Sequence, residues 1–200
     1  VARGMVYAAD NGARIINLSL GGEEPSQTLQ DAANYVSQQG VLLVAASGND
    51  GGGVLYPAAL EEVMAVAATD SYDEWRDWSN HGPELDIAAP GTSILSTSLW
   101  GGGYSSSSGT SVAAAHVSGA AALLWSWRPD YTGAEIRHTL ESEADDVNAD
   151  TYPGHDPYLG WGRLNVYRAL SAPEPSPTAT PTPRYTCILM PICRNAGPLP

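Results

Sequence analysis

The spacing of apolar positions changes several times along the chain, and each change marks an element. Val1–Asn11, with Val6, Tyr7 and Ala9 apolar, reads as the end of a helix stopped by Asn11-Gly12. Arg14–Leu20 follows as a buried strand that Gly21-Gly22 releases. Pro25–Gln39 has helical spacing through Leu29, Ala32, Ala33 and Val36, and Gly40 ends it. Val41–Ala46 is an unbroken apolar run, too continuous for a sheet with one wet face. Val63–Ala68 is a third strand of the same kind. Strand, helix and strand in this order predict a right-handed crossover and a parallel sheet, hence an α/β fold.

The second half is less regular. Ser47–Gly53 reads as a loop at a strand's carboxyl end, where α/β sites usually lie, and Trp78–Pro83 as another loop. Short extended pieces are expected around Leu85–Ala88 and Ile94–Ser98. A Ser/Gly-rich turn then opens a small-residue run from Ser111 through Trp125, free of proline until Pro129, which suits a buried helix. Thr132-x-x-Glu135 is a capping box for a helix through Ile136 and Leu140, and Gly160–Asn165 leads into a last short helix ending near Leu170.

Composition narrows the chemistry. Two hundred residues, 43% of them apolar, allow one ordinary domain plus a tail, and no apolar run is long enough for a membrane helix. Val1 is not a methionine and no leader pattern follows it, so the chain reads as a cut edge. A net charge of −13 argues against nucleic acid as a partner. The chain has no lysine, which excludes a Ser–Lys dyad, a Schiff-base enzyme and a P-loop. Residues 172–184 form a Pro/Thr-rich linker, extended and unable to build a core. Beyond it, 185–200 is a short tail holding both cysteines, Cys187 and Cys193, for which a local disulfide is favoured over metal binding. This arrangement favours an exported protein, secreted or held at the cell surface through the tail, with residues 1–171 as its folded domain.

Ser111 is the candidate nucleophile. It falls where the turn becomes the first helical turn, and there unpaired N–H groups and the helix dipole favour a developing negative charge. An isolated Gly-Thr-Ser would be read as a cap on an Ala-rich core helix. Gly109-Thr110-Ser111-Val112-Ala113-Ala114-Ala115-His116-Val117-Ser118-Gly119, however, closely resembles the nucleophile motif of the subtilisin-like serine peptidases. Ala115 stands where that family usually has proline and Val112 where it usually has methionine; the first change is expected to alter a kink and not the chemistry. Ser19–Gly22, Ala45–Asn49, Tyr56–Ala58, Val63–Asp70, Trp78–Pro83, Ala88–Gly91 and Gly160–Asn165 match the family in order as well, so the resemblance runs from about Ile15 to Leu170.

The resemblance implies a three-layer parallel-sheet subtilisin-like fold lacking its N-terminal strands, with an exposed strand edge and poor independent stability. It implies a serine endopeptidase acting on polypeptides through an acyl-enzyme on Ser111, with the Asn49 amide beside the Ser111 N–H in the oxyanion hole. Substrate would add as a strand along Ser19, Leu20 and Gly21. Ala45, Ser47 and Gly48 would form one wall of the primary specificity pocket, with Leu55 near its base. No calcium site is assignable, although the family allows one: Asp145–Asp150 is acidic but without a recognisable loop spacing.

No base or acid can be assigned. His81 falls in a downstream loop, His116 one turn beyond Ser111, His138 on the capped helix and His155 in a polar loop; Asp10-Asn11-Gly12 follows a helix and not a strand. The family's Asp and His motifs lie upstream of everything matched, so this portion alone is expected to be inactive. No Gly-x-Ser-x-Gly occurs, which excludes an α/β-hydrolase, and Asn49 in place of an aspartate argues against a sedolisin. The alternative from another class is a non-catalytic pseudopeptidase, an extracellular peptide-binding or scaffold domain; a plain structural domain with an anchoring tail is less favoured.

Overall fold

A computed structural model describes residues 1–98 and 103–173. Four parallel strands, β1 (Ile15–Leu18), β2 (Leu42–Ala46), β3 (Val63–Thr69) and β4 (Ile87–Pro90), lie side by side in chain order. Alternate residues feed two cores, as the pleat requires. Leu43 and Ala45 of β2, with Val63, Ala65 and Ala67 of β3, pack towards α1 (Ala2–Asp10) and α2 (Gln27–Gln38) through Met5, Ala32, Ala33 and Val36. Leu42, Val44 and Ala46, with Met64, Val66 and Ala68, pack on the other face against α3 (Thr110–Trp127), α4 (Gly133–Ser142) and α5 (Val166–Ser171). This is the three-layer α/β arrangement that the resemblance implied.

β2 and β3 are buried from end to end, which is why their sequences show no alternation. β1 sits at the outer edge and is shorter than the Arg14–Leu20 run, so Ser19–Gly21 extend past its end and are exposed. α3 runs unbroken through Ala115 and touches all four strands of the sheet; its alanines let it lie close to them. The small-residue run suggested a buried helix; one side is buried, while Ala115, His116, Gly119, Ala122 and Leu123 are exposed along the other. The capping box on α4 is present: the Thr132 hydroxyl accepts from Glu135 N–H at 3.3 Å, and the Glu135 carboxylate accepts from Thr132 N–H at 2.7 Å.

Two extended elements differ from expectation. The piece placed at Leu85–Ala88 becomes β4 at Ile87–Pro90, because Gly82–Leu85 is a turn closed by the Leu85 N–H to the Gly82 carbonyl at 3.2 Å. β5 (Ile94–Thr97) forms an antiparallel hairpin with β6 (Tyr104–Ser107). β6 is fully exposed and built from Tyr-Ser-Ser-Ser, so no hydrophobic alternation announced it. Linker residues from 174 onwards, and the tail with Cys187 and Cys193, lie outside the described residues.

Candidate active site

The carboxyl ends of β1 and β2 converge on the amino end of α3. Ser111, half-buried, is the second residue of α3 and stands where the helix dipole is positive. Its carbonyl accepts the Ser19 hydroxyl at 2.8 Å, which ties the segment after β1 to the helix. Asn17 supports that contact, its Nδ2 donating to Ser19 Oγ at 2.8 Å while its Oδ1 accepts the Ser118 hydroxyl at 2.9 Å. A hydrogen-bonded chain thus joins β1 to α3 at two points, Ser111 and Ser118.

Asn49 ends the loop side of the site. Its Oδ1 accepts the Thr110 N–H at 2.8 Å and lies 3.1 Å from the Thr110 hydroxyl. Those contacts hold the carbonyl side of the amide, and its Nδ2 has no protein partner among the described residues. The Thr110 hydroxyl, fully buried, also accepts the Gly48 N–H at 3.2 Å and lies 3.1 Å from the Gly48 carbonyl. Thr110 therefore fastens β2's exit to the helix on which Ser111 sits.

The loop itself hangs on Asn80, a fully buried asparagine. Its Oδ1 accepts the N–H groups of Asp50 at 2.9 Å and Gly52 at 3.3 Å, and its Nδ2 donates to the Gly53 carbonyl at 2.7 Å. The Asn80 backbone adds a bond to the Gly48 carbonyl at 3.1 Å and receives the Ser47 hydroxyl at 3.2 Å. Gly48 has φ +122°, and a Cβ there would overlap the Asn80 amide, so only glycine fits. Sequence reading left Asn17, Thr110 and Asn80 without roles, since single Asn and Thr residues next to loops have ordinary turn uses. The one usable signal was position: two of the three flank residues already marked.

Of the residues marked from sequence, Ser19, Gly48, Asn49 and Ser111 are brought together by these bonds. Ala45 and Ser47 are buried in and just beyond β2, and Leu20 and Gly21 are exposed beyond β1. Among the described residues no histidine ring nitrogen hydrogen-bonds Ser111. His116 is exposed and donates Nδ1–H to the Val112 carbonyl at 3.1 Å; His155 donates Nε2–H to the Leu85 carbonyl at 2.7 Å. His81 stacks on Tyr158 at 5.4 Å between ring centroids, with Trp75 edge-on, and His138 is exposed on α4. Asp10 accepts the Tyr35 hydroxyl at 2.7 Å, a bond between α1 and α2.

The carboxylates with shifted titration lie elsewhere. At the amino ends of β3 and β4, Arg137 of α4 contacts Asp86 at 2.5 Å, Glu141 at 2.7 Å and the Glu61 carbonyl at 2.9 Å. Burial pushes the Asp86 and Glu141 carboxyls above the usual carboxylate range, against the pull of Arg137. Burial works against the Arg137 charge too, but Asp86 and Glu141 hold its guanidinium above its ordinary value. In the acidic loop, Asp145 is engaged by Arg163, Arg168 and Asn165; burial opposes its charge, yet those donors keep its carboxyl below the usual range. The described residues hold no group of three His, Cys, Asp or Glu side chains able to bind a metal ion.

Comparison with known proteins bears on the family of the whole chain. The model of the Subtilase family matches residues 1–162. The chain belongs to the subtilase family. A subtilase relative, the thermophilic serine proteinase of Bacillus sp. (strain AK1), is 42% identical over 172 residues, 86% of this chain and 41% of its own length. Subtilisin Savinase of Lederbergia lenta is 43% identical over 155 residues, 77% of this chain and 57% of its own. The chain thus spans 41% and 57% of these two curated relatives. Among solved subtilase-like structures, the crystal structure of a lanthipeptide protease superposes with a TM-score of 0.78 at 28% identity, covering 85% of this chain and 64% of that one.

Proposed function

We propose that the chain is the nucleophile-bearing part of a serine endopeptidase. Ser111 Oγ attacks the scissile carbonyl of a bound polypeptide; the C–N bond breaks and the amine half leaves with the proton that the serine gives up. Water then cleaves the acyl–serine ester to free the carboxylic acid half and restore the hydroxyl. Asn49 Nδ2 and the Ser111 N–H stabilise the oxyanion. The substrate backbone pairs with Ser19, Leu20 and Gly21, and its side chain enters against Ala45, Ser47 and Gly48. The base and its carboxylate come from sequence outside these 200 residues, since none of the described histidines bonds Ser111.

The observation that carries this reading is the Asn49–Thr110 contact. It fixes an otherwise unpartnered amide next to a serine at a helix amino end, a donor held ready before charge develops. The linker at 172–184 and the cysteine-bearing tail at 185–200 fit an exported enzyme, secreted or tethered through the tail. No described helix is long and apolar enough to cross a membrane.

The test is labelling by a fluorophosphonate probe of the protein expressed with its native flanking sequence, with Ser111→Ala as control. Labelling that disappears in the variant is the expected result. A folded protein, freed of any pro-segment, that does not label would instead be a peptide-binding domain without catalysis.

A further inference from the structure

The loop that carries Asn49 has little of its own to hold it in place. Four of the six residues 48–53 are glycine, a backbone with more freedom to lose than any other. Its position is set from outside, by the segment 78–81. The Asn80 N–H donates to the Gly48 carbonyl at 3.1 Å and the Asp50 N–H donates to Asn80 Oδ1 at 2.9 Å. The residues on either side of Asn49 are thus both bonded to Asn80. The Gly51 N–H adds a bond to the Trp78 carbonyl and the His81 N–H one to the Gly52 carbonyl, both at 3.0 Å. Among the described residues, no side chain from outside the loop other than Asn80 bonds residues 50–53.

The anchor is itself rooted in the sheet. Next to Asn80, the fully buried Ser79 accepts the Ala68 N–H of β3 at its hydroxyl at 3.0 Å, and its own N–H donates to the Arg76 carbonyl at 2.8 Å. A short path therefore runs from β3 through Ser79 and Asn80 to the residues that flank Asn49. The amide is the group that this place requires. The N–H groups of Asp50 and Gly52 need an acceptor and the Gly53 carbonyl needs a donor, and an asparagine supplies both from one planar group. An aspartate would set a second oxygen against that carbonyl, and an alanine would leave all three groups without their partner.

We infer that Asn80 is a positioning residue for the reaction, setting its rate through the placement of the Asn49 amide. This rests on the peptidase reading above. Asn80 is fully buried, so it has no surface to offer a peptide and acts through the loop alone. Asn49 Oδ1 is bound to Thr110, and where its Nδ2 points then depends on where the loop backbone puts residue 49. A donor aimed at developing charge is effective only at its own spot, and a misplacement of about 1 Å can cost about 10²-fold in rate.

The test is a double-mutant cycle on the protein with its native flanking sequence, read by hydrolysis of succinyl-Ala-Ala-Pro-Phe p-nitroanilide. It compares Asn80→Ala, Asn80→Asp, Asn49→Ala and the two double variants with the wild type. Each Asn80 substitution is expected to lower kcat by about 10- to 100-fold, with KM held within about twofold. In the Asn49→Ala background the same substitutions should change kcat by less than about twofold, because the group they act through is gone. Equal losses with and without Asn49, a change carried by KM alone, or an unmoved kcat would overturn the assignment. Loss of the fold in both Asn80 variants would overturn it too, marking the residue as structural. Turnover that is absent from the wild type on this substrate and on casein, or indifferent to Ser111→Ala, ends the peptidase reading instead. Asn80 is then judged by hydrogen exchange of the Thr110 N–H, which Asn49 holds. Exchange in Asn80→Ala that speeds up there more than along the rest of α3 supports the positioning, and exchange that does not refutes it.

Discussion

At the amino ends of β3 and β4, charged groups do the holding: Arg137 gathers Asp86, Glu141 and the Glu61 carbonyl, and Asp86 also accepts the Ala65 N–H at 2.6 Å. At the carboxyl ends of β1 and β2, the same task falls to amides, hydroxyls and glycines, through Asn17, Ser19, Gly48, Thr110 and Asn80. Each design suits its end. A partly buried ion pair locks α4 to the sheet, and its fixed charges lie away from the site. In the proposed reaction, neutral dipoles would position donors without placing a competing charge beside the oxyanion, and they need not reorganise when it forms.

Separating the two ends by mutation is the sharpest test of that contrast. Asn49→Ala should lower kcat by about 10²–10³, a scale that comes from subtilisin itself and is carried over by kinship, with little change in urea midpoint. A midpoint that falls along with kcat would mean that Asn49 is structural, its bond to Thr110 serving only the loop. Arg137→Met should do the reverse. It strands Asp86 and Glu141 without their cation at a cost of about 3 kcal/mol in urea unfolding, while Ser111 of the folded fraction still labels with fluorophosphonate. Labelling lost in a folded Arg137→Met protein would break the separation of the two ends.

The smallest effect is one of pH. Asp86 and Glu141 bind their protons more tightly folded than unfolded, because burial raises both. The stability they contribute is complete below the ordinary carboxylate range and is lost as pH rises through their raised values. Glu141→Gln, which cannot ionise, should therefore gain on the wild type as pH goes from about 4 to about 7, read as the difference between urea midpoints at each pH. Asp145 has the opposite sign: its lowered value gives stability above the carboxylate range that is lost on acidification. A flat difference for Glu141→Gln would mean that its carboxyl titrates alike folded and unfolded.

Much of this architecture was legible in the sequence because burial is written in composition. β2 and β3 read as strands through unbroken apolar runs, α3 through its alanines, and α4 through Thr132 and Glu135. β6 was not legible, since an exposed serine run carries no period, and the end of β1 was overrun because Ser19 and Leu20 look like the strand they follow. Ser111 and Asn49 were marked by a long motif and by a loop at a strand's end. Asn80 was not, because its importance lies in burial, which a polar residue in a polar loop conceals.

The contact of α3 with all four strands bears on precision as well as stability. A side chain on a lone loop inherits every fluctuation of that loop. Ser111 begins a rod braced crosswise by four beams, so a displacement of any one strand is averaged against the other three before it reaches the hydroxyl. Substitutions deep in the sheet should then blur the serine's position only when several strands move together, and the fold can vary its individual crossovers without displacing the proposed nucleophile.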